Sequence, residues 1–170
     1  MRPTIATFNE ATLNFYKMLQ RSEWVQKEYW VSPFEHVNEN GSFNVIIARI
    51  PPIFCRKIVV EDLPREILTF YFLIKRKFIS VSSTHLTSLA KNHERRKNQL
   101  IRLKEALQID LPCVQIIQGD LNIHSEEENG NIQKVEFRDS WLEKHNLEED
   151  PGFTFDGEKN SLIHEVYWGW

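Results

Sequence analysis

The chain has 170 residues, 41% of them hydrophobic and 26% charged, and its 21 basic and 24 acidic side chains leave a net charge of −3. That composition belongs to a globular domain long enough to bury a real core, and it excludes a generally basic nucleic-acid coat while leaving room for a local basic patch. With only Cys55 and Cys113 and no C-x-x-C, it also excludes a zinc ribbon or a disulfide framework, so reduced thiols and an intracellular setting (nuclear or cytoplasmic in a eukaryote) are expected.

The first ten residues, MRPTIATFNE, lack the apolar core of a secretory signal. No apolar run reaches membrane-spanning length, so no membrane is expected as a partner. Phe8 to Gln20 spaces Phe8, Leu13, Phe15, Tyr16 and Leu19 as a short amphipathic helix would. Trp24 to Val31 reads as a strand approach, the Asn-Glu-Asn-Gly run at 38–41 as a turn, and Phe43 to Ile50 as a strong strand closed by Pro51 and Pro52. Ile58 to Val60 is a further short strand. Ile67 to Ile74 and Phe78 to Ser83 read as the two arms of a hairpin around Lys75, Arg76 and Lys77.

The clearest helix runs from Glu94 to Ile109, with Leu100, Leu103 and Leu107 as its apolar stripe and Arg96 one turn earlier on the same face. Cys113 to Gln118 reads as a buried strand, and Val135 to Trp141 as a shorter strand or a helix entry. Strands dominate, and one helix is inserted between core strands. That order predicts a layered α/β sandwich built on a mixed sheet.

Two stretches carry chemistry. In GDLN, residues 119–122, an apolar strand ends on Gly119 and then places Asp120 and Asn122 two positions apart. In extended chain these two share a side; one is a hard anionic oxygen donor, the other a neutral donor and acceptor. In VSSTHL, residues 81–86, His85 likewise ends a strand. From the residues alone two readings stand: Asp120 and Asn122 as Asx-turn residues with His85 a half-buried polar group, or all three in one site. Arg96 and Gln99 sit near the start of the long helix, on its inward side or edge. Lys97, Arg102 and Lys104 read as its solvated face.

Taken together, THL at 84–86, R-x-x-Q-L at 96–100 and GDLN at 119–122 resemble the endonuclease/exonuclease/phosphatase superfamily in order and spacing, and are most similar to its tyrosyl-DNA phosphodiesterase 2-like branch. FNE at 8–10 resembles that branch's Gln-Glu segment with Asn9 for Gln, RDSW at 138–141 its Asp-x-Trp, and FTFDGEKN at 153–160 its Thr-Trp-Asp-Thr…Asn segment with Phe155 for Trp. The resemblance implies the superfamily's layered sandwich and a Mg²⁺-dependent phosphodiesterase, with Mn²⁺ as an alternative ion. Its substrate would be a DNA 5′ end blocked by a tyrosyl adduct, or another phosphodiester, and its setting DNA repair.

By resemblance, Glu10 is the carboxylate ligand of a single metal ion. Asp120 orients or deprotonates the attacking water, or sits in the metal's outer shell. Asn122 holds that water or a phosphoryl oxygen, and His85 contacts the phosphate. Arg96 and Gln99 brace the loop that carries His85, while Phe155 and Asn160 contact substrate. These types suit the chemistry: phosphodiester hydrolysis builds negative charge on oxygen, and Mg²⁺ takes few protein carboxylates and keeps its waters.

The family's Asn-bearing strand ahead of the metal Glu, and its closing Asp-Arg and Ser-Asp-His segments, have no counterpart between Met1 and Trp170; His164 lacks the Ser-Asp before it. The resemblance therefore implies a single partial domain over 1–170, cut at both ends, and a poor catalyst. Two alternatives remain at this point: a superfamily nuclease or phosphatase with another substrate, and a non-catalytic remnant that binds nucleic acid or protein.

Overall fold

The computed structural model describes residues 2–33, 41–108, 113–123 and 126–145. It divides into two compact units, Met1–Asn131 and Ile132–Trp170. The first contains two sheets. Strands β1 (Ile5–Ala11), β2 (Trp30–Val31) and β3 (Phe43–Ala48) form an antiparallel sheet in the order β1-β3-β2. Strands β4 (Phe54–Ile58), β5 (Ile67–Ile74), β6 (Lys77–His85) and β7 (Cys113–Asp120) form the second in that order, antiparallel except for the β6–β7 pair.

The sheets pack face to face. Ile46 and Ala48 of β3 meet Leu68, Phe70 and Phe72 of β5 and Val81 of β6 in one buried cluster. The other face of the first sheet is covered by helices α1 (Leu13–Arg21) and α2 (Glu23–Glu28), whose Tyr16, Leu19 and Val25 pack on Phe43, Val45 and Ile47. Helix α3 (His93–Ala106) joins β6 to β7, as parallel neighbours require a crossover. Gln115, on the face of β7 opposite the sandwich core, donates to the Leu107 carbonyl just past the end of α3. Leu100, Leu103 and Leu107 are all buried.

The layered α/β sandwich expected from the sequence is thus the observed architecture, with two sheets rather than one. The β5–β6 hairpin turns through Lys75 and Arg76, both at positive φ (48° and 64°) between paired Ile74 and Lys77, the two-residue geometry whose twist matches the strands.

Several local expectations are corrected. Phe8 begins no helix: residues up to Ala11 belong to β1, and α1 starts only after Thr12, whose hydroxyl accepts the Phe15 N–H at 3.2 Å. Trp24 lies in α2, so only Trp30 and Val31 are strand. The strand expected at Ile58 to Val60 runs earlier, over Phe54–Ile58. Cys113 to Gln118 does form a strand, but an exposed one: Val114 keeps 53% of its surface and Ile116 42%. Among the described residues β7 is an edge strand, and an apolar run alone does not tell a central strand from an edge.

Val135 to Trp141 is turn and irregular chain after α4 (Glu126–Lys134); in the second unit Asp139 Oδ1 accepts the Trp141 N–H at 2.8 Å, and the Trp141 and His145 rings stack. The turn at 38–40, Phe155, Asn160 and His164 lie outside the described residues. Cys55 and Cys113 are free thiols. Among the described residues, no helix is long and apolar enough to cross a membrane.

Candidate active site

Strands β6 and β7 run parallel with Thr84 beside Gly119 and His85 beside Asp120, so both end at the same rim. Gly119 explains why the apolar run of β7 stops where it does. A Cβ there would lie 1.9 Å from the Thr84 carbonyl oxygen, and its φ of +142° is one that side-chain-bearing residues rarely adopt. Past this close approach the strand ends in a turn: Asp120 Oδ1 accepts the Asn122 N–H at 3.0 Å, and Asn122 takes a φ of +50°. The two strand ends are then laced together, Leu86 N–H to the Asp120 carbonyl and Asn122 Nδ2 to the Leu86 carbonyl, both 2.9 Å.

The third contributor comes from the other sheet. In β1 the register against β3 shifts by one residue between Phe8 and Ala11. Asn9 and Glu10 together oppose Asn44, and Glu10 carries a φ of +54°. Such a bulge re-aims a side chain. Phe8 and Ala11 both pack in the helix-side core, so alternation is interrupted at Glu10.

Its carboxylate oxygen comes 4.0 Å from His85 Nδ1, while Asp120 Oδ2 lies 3.9 Å from His85 Nε2. Glu10, His85 and Asp120 are therefore brought together from three strands of two sheets, with Asn122 bonded one residue beyond His85. Both gaps exceed hydrogen-bonding distance. His85 is buried, and among the described residues neither its Nδ1 nor the Thr84 hydroxyl has a hydrogen-bond partner. Among the described residues, no three His, Cys, Asp or Glu side chains stand at metal-ligand spacing.

Arg96 and Gln99 lie on the other side of the loop that follows His85. Arg96 donates from Nη1 to the Thr87 and Leu89 carbonyls at 3.0 and 2.7 Å. Gln99 exchanges bonds with Thr87, accepting its N–H at 3.0 Å and donating to its hydroxyl at 2.7 Å. The rest of the Arg96 guanidinium forms a two-pronged ion pair with Glu128 of α4, Nε to Oε2 at 2.6 Å and Nη2 to Oε1 at 2.8 Å, with both residues buried.

Sequence reasoning missed Glu128, one of three consecutive glutamates with nothing local to single it out. It also missed Asn44, for which there was a signal: an amide inside the otherwise apolar strand FNVIIA, where asparagine is disfavoured. Asn9 was noticed only as the residue in place of Gln in the Gln-Glu segment.

No protein-family model matches this sequence, and neither does any curated protein. Solved structures do. TDP2 of D. rerio, complexed with single strand DNA product, superposes with a TM-score of 0.63 at 16% identity over 81% of this chain and 54% of that one. Sphingomyelinase C from Streptomyces griseocarneus gives 0.64 at 14% identity over 79% of this chain and 57% of that one. A beta hairpin deletion mutant of beta toxin from Staphylococcus aureus gives 0.69 at 17% identity over 98% and 69%. The chain spans little more than half the length of the D. rerio TDP2 and Streptomyces griseocarneus sphingomyelinase structures, 54% and 57%. At these identities the likeness is one of architecture, and it is consistent from one protein to the next: the chain has the endonuclease/exonuclease/phosphatase fold.

Proposed function

We propose that this rim is the phosphodiester-hydrolysing site of a metal-dependent hydrolase, carried by one catalytic domain. The observation that carries the reading is the approach of Glu10 and Asp120 to the two ring nitrogens of His85 from opposite sheets. The donor set fits Mg²⁺, or Mn²⁺ in its place. Glu10 and Asp120 are carboxylates left largely open to solvent, and an ion that keeps most of its own waters needs one or two such oxygens and no three-residue cluster. When bound, the ion would neutralise charge on the phosphoryl oxygens.

The chain's own groups supply the rest. Glu10 would hold the ion directly. Asp120 has one oxygen committed to the Asx turn, which leaves Oδ2 to orient or deprotonate a water. The buried His85 ring offers an N–H to a phosphoryl oxygen in a gap too long for a direct protein bond. Asn122, its Nδ2 spent on the Leu86 carbonyl, offers its carbonyl oxygen to the same water.

The substrate we propose is a 5′-tyrosyl or otherwise blocked single-stranded DNA end, and the setting DNA repair. The supporting observations are the THLTSL and FTFDGEKN stretches, with Phe155 and Asn160 as substrate contacts, and the D. rerio TDP2 structure that holds a single strand DNA product.

The test is hydrolysis of a chromogenic phosphodiester with Mg²⁺ and with EDTA, by the native chain, Glu10→Gln and Asp120→Asn. Turnover lost in EDTA and in both variants is expected; equal rates with and without metal would overturn the reading. Comparable rates on an abasic duplex and a tyrosyl end would keep the chemistry and discard the substrate. Single-strand binding without any turnover would leave a binding module.

A further inference from the structure

We propose that Asn9 is a positioning residue: its carboxamide sets the place of the Asp120 backbone against Glu10 across the gap between the two sheets. This deepens the metal-site reading and rests on it for its functional consequence, though not for its geometry.

Ile46 and Ala48 face the second sheet, so Asn44, two residues before Ile46 on the same strand, faces it too. Ile5 packs on the same core, and Asn9 lies four residues further along β1. The two amides thus form a polar seam at the site end of the sandwich. Asn9 Nδ2 donates to Asn44 Oδ1 at 2.7 Å and to the Thr84 carbonyl at 2.9 Å, with a longer contact of 3.4 Å to Ser83 Oγ. Asn9 Oδ1 accepts the Asp120 N–H at 3.0 Å. Asn44 Nδ2 in turn donates to the Glu66 carbonyl at 2.8 Å, just before β5.

One amide plane is therefore pinned from both sides, its nitrogen by acceptors and its oxygen by a donor, so it has a single orientation. Its backbone neighbour is Glu10, and its partners are Asp120 itself and the residue before His85. Any displacement of this carboxamide moves the two carboxylates relative to each other. No other side chain bonds both β1 and the end of β7 among the described residues.

The experiment uses the whole chain, with Asn9→Leu as the near-isosteric loss of the amide and Asn9→Ser as a milder truncation should the leucine variant fold poorly. Tyr16→Phe, which removes a buried hydroxyl bonded to the Ser32 carbonyl on the far face of the same sheet, controls for stability alone. The first readout needs no metal: hydrogen exchange of the Asp120 amide. Protection is expected in the native chain and in Tyr16→Phe, with exchange roughly tenfold faster in the Asn9 variants, the equilibrium equivalent of one lost hydrogen bond.

The second readout is Mn²⁺ affinity by water-proton relaxation. A loss of roughly 10–100-fold is expected in the Asn9 variants, as for other groups that hold a ligand in place, and none in Tyr16→Phe. An Asp120 amide that exchanges as fast in the native chain as in the variants overturns the proposal, and so does unchanged Mn²⁺ affinity in the Asn9 variants. Equal Mn²⁺ binding by native chain and Glu10→Gln would instead count against the metal site, while the exchange data would still decide the role of Asn9.

Discussion

On the sandwich side of His85 the holding groups are neutral amides alone; on the helix side a buried ion pair works beside the amide of Gln99. Asn9 and Asn44 join β1, β3, β6, β7 and the residue just before β5 with four hydrogen bonds of 2.7–3.0 Å and no formal charge. Arg96 and Glu128 join α3, α4 and the 87–89 loop through a buried ion pair at 2.6 and 2.8 Å. Both networks end within two residues of His85, yet they use different physics.

A neutral amide costs less to desolvate than an ion, so a broken bond in a seam of amides leaves a smaller penalty behind. A buried guanidinium and carboxylate cost several kcal/mol each to strip of water, and their mutual attraction recovers this only while both are present. The difference suggests a division of labour. The ionic clamp holds the loop in place as part of folding, while the amide seam tunes where the candidate ligands stand.

The largest effect expected is at the clamp. Glu128→Ala should leave Arg96 charged and buried, at a cost of roughly 3–5 kcal/mol in denaturant unfolding. Arg96→Met combined with Glu128→Leu should recover most of that. A double variant as unstable as the sum of the singles would mean that the two residues act independently, and the contrast with the seam would fail.

Gly119→Ala comes next. Its methyl meets the Thr84 carbonyl at 1.9 Å, and the enforced backbone shift should cost about 2–4 kcal/mol. It should also disturb the His85–Asp120 pairing, read as altered backbone amide shifts in β6 and β7.

Gln99→Leu removes both bonds to Thr87 and should cost about 1–3 kcal/mol, since the Thr87 N–H is left without its acceptor. Asn44→Val, in the seam, exchanges an amide for a side chain suited to a buried strand. A smaller loss, of about 1 kcal/mol, is expected together with weaker Mn²⁺ binding. Should Asn44→Val unfold the protein as Glu128→Ala does, the seam would be as structural as the clamp.

The smallest effect belongs to the solvent-exposed Arg95–Asp62 pair, 2.7 Å apart. Arg95→Ala should cost under about 1 kcal/mol and less still in high salt, whereas the loss in Glu128→Ala should change little with salt.

Much of this was legible in the sequence. The hairpin at Lys75 and Arg76, helix α3 with its leucine stripe, and the strand ends at His85 and Asp120 all follow from periodicity and from the local demands of turns, which act over a few residues. The same local signals erred where two elements abut without a break. Phe8 fitted both a strand and a helix, and Thr12, whose capping hydroxyl separates β1 from α1, was not read as a helix start.

What only the tertiary structure decided are contacts between residues far apart in the chain. The bulge that turns Glu10 toward His85 depends on which strand lies beside β1. The Asn9–Asp120 bond spans 111 residues and the Arg96–Glu128 pair 32. An amide or a glutamate looks the same in sequence whether water or a buried partner satisfies it. The exposure of β7 is decided in the same way, since burial depends on what packs against each face and edge, and no property of CVQIIQGD by itself records that.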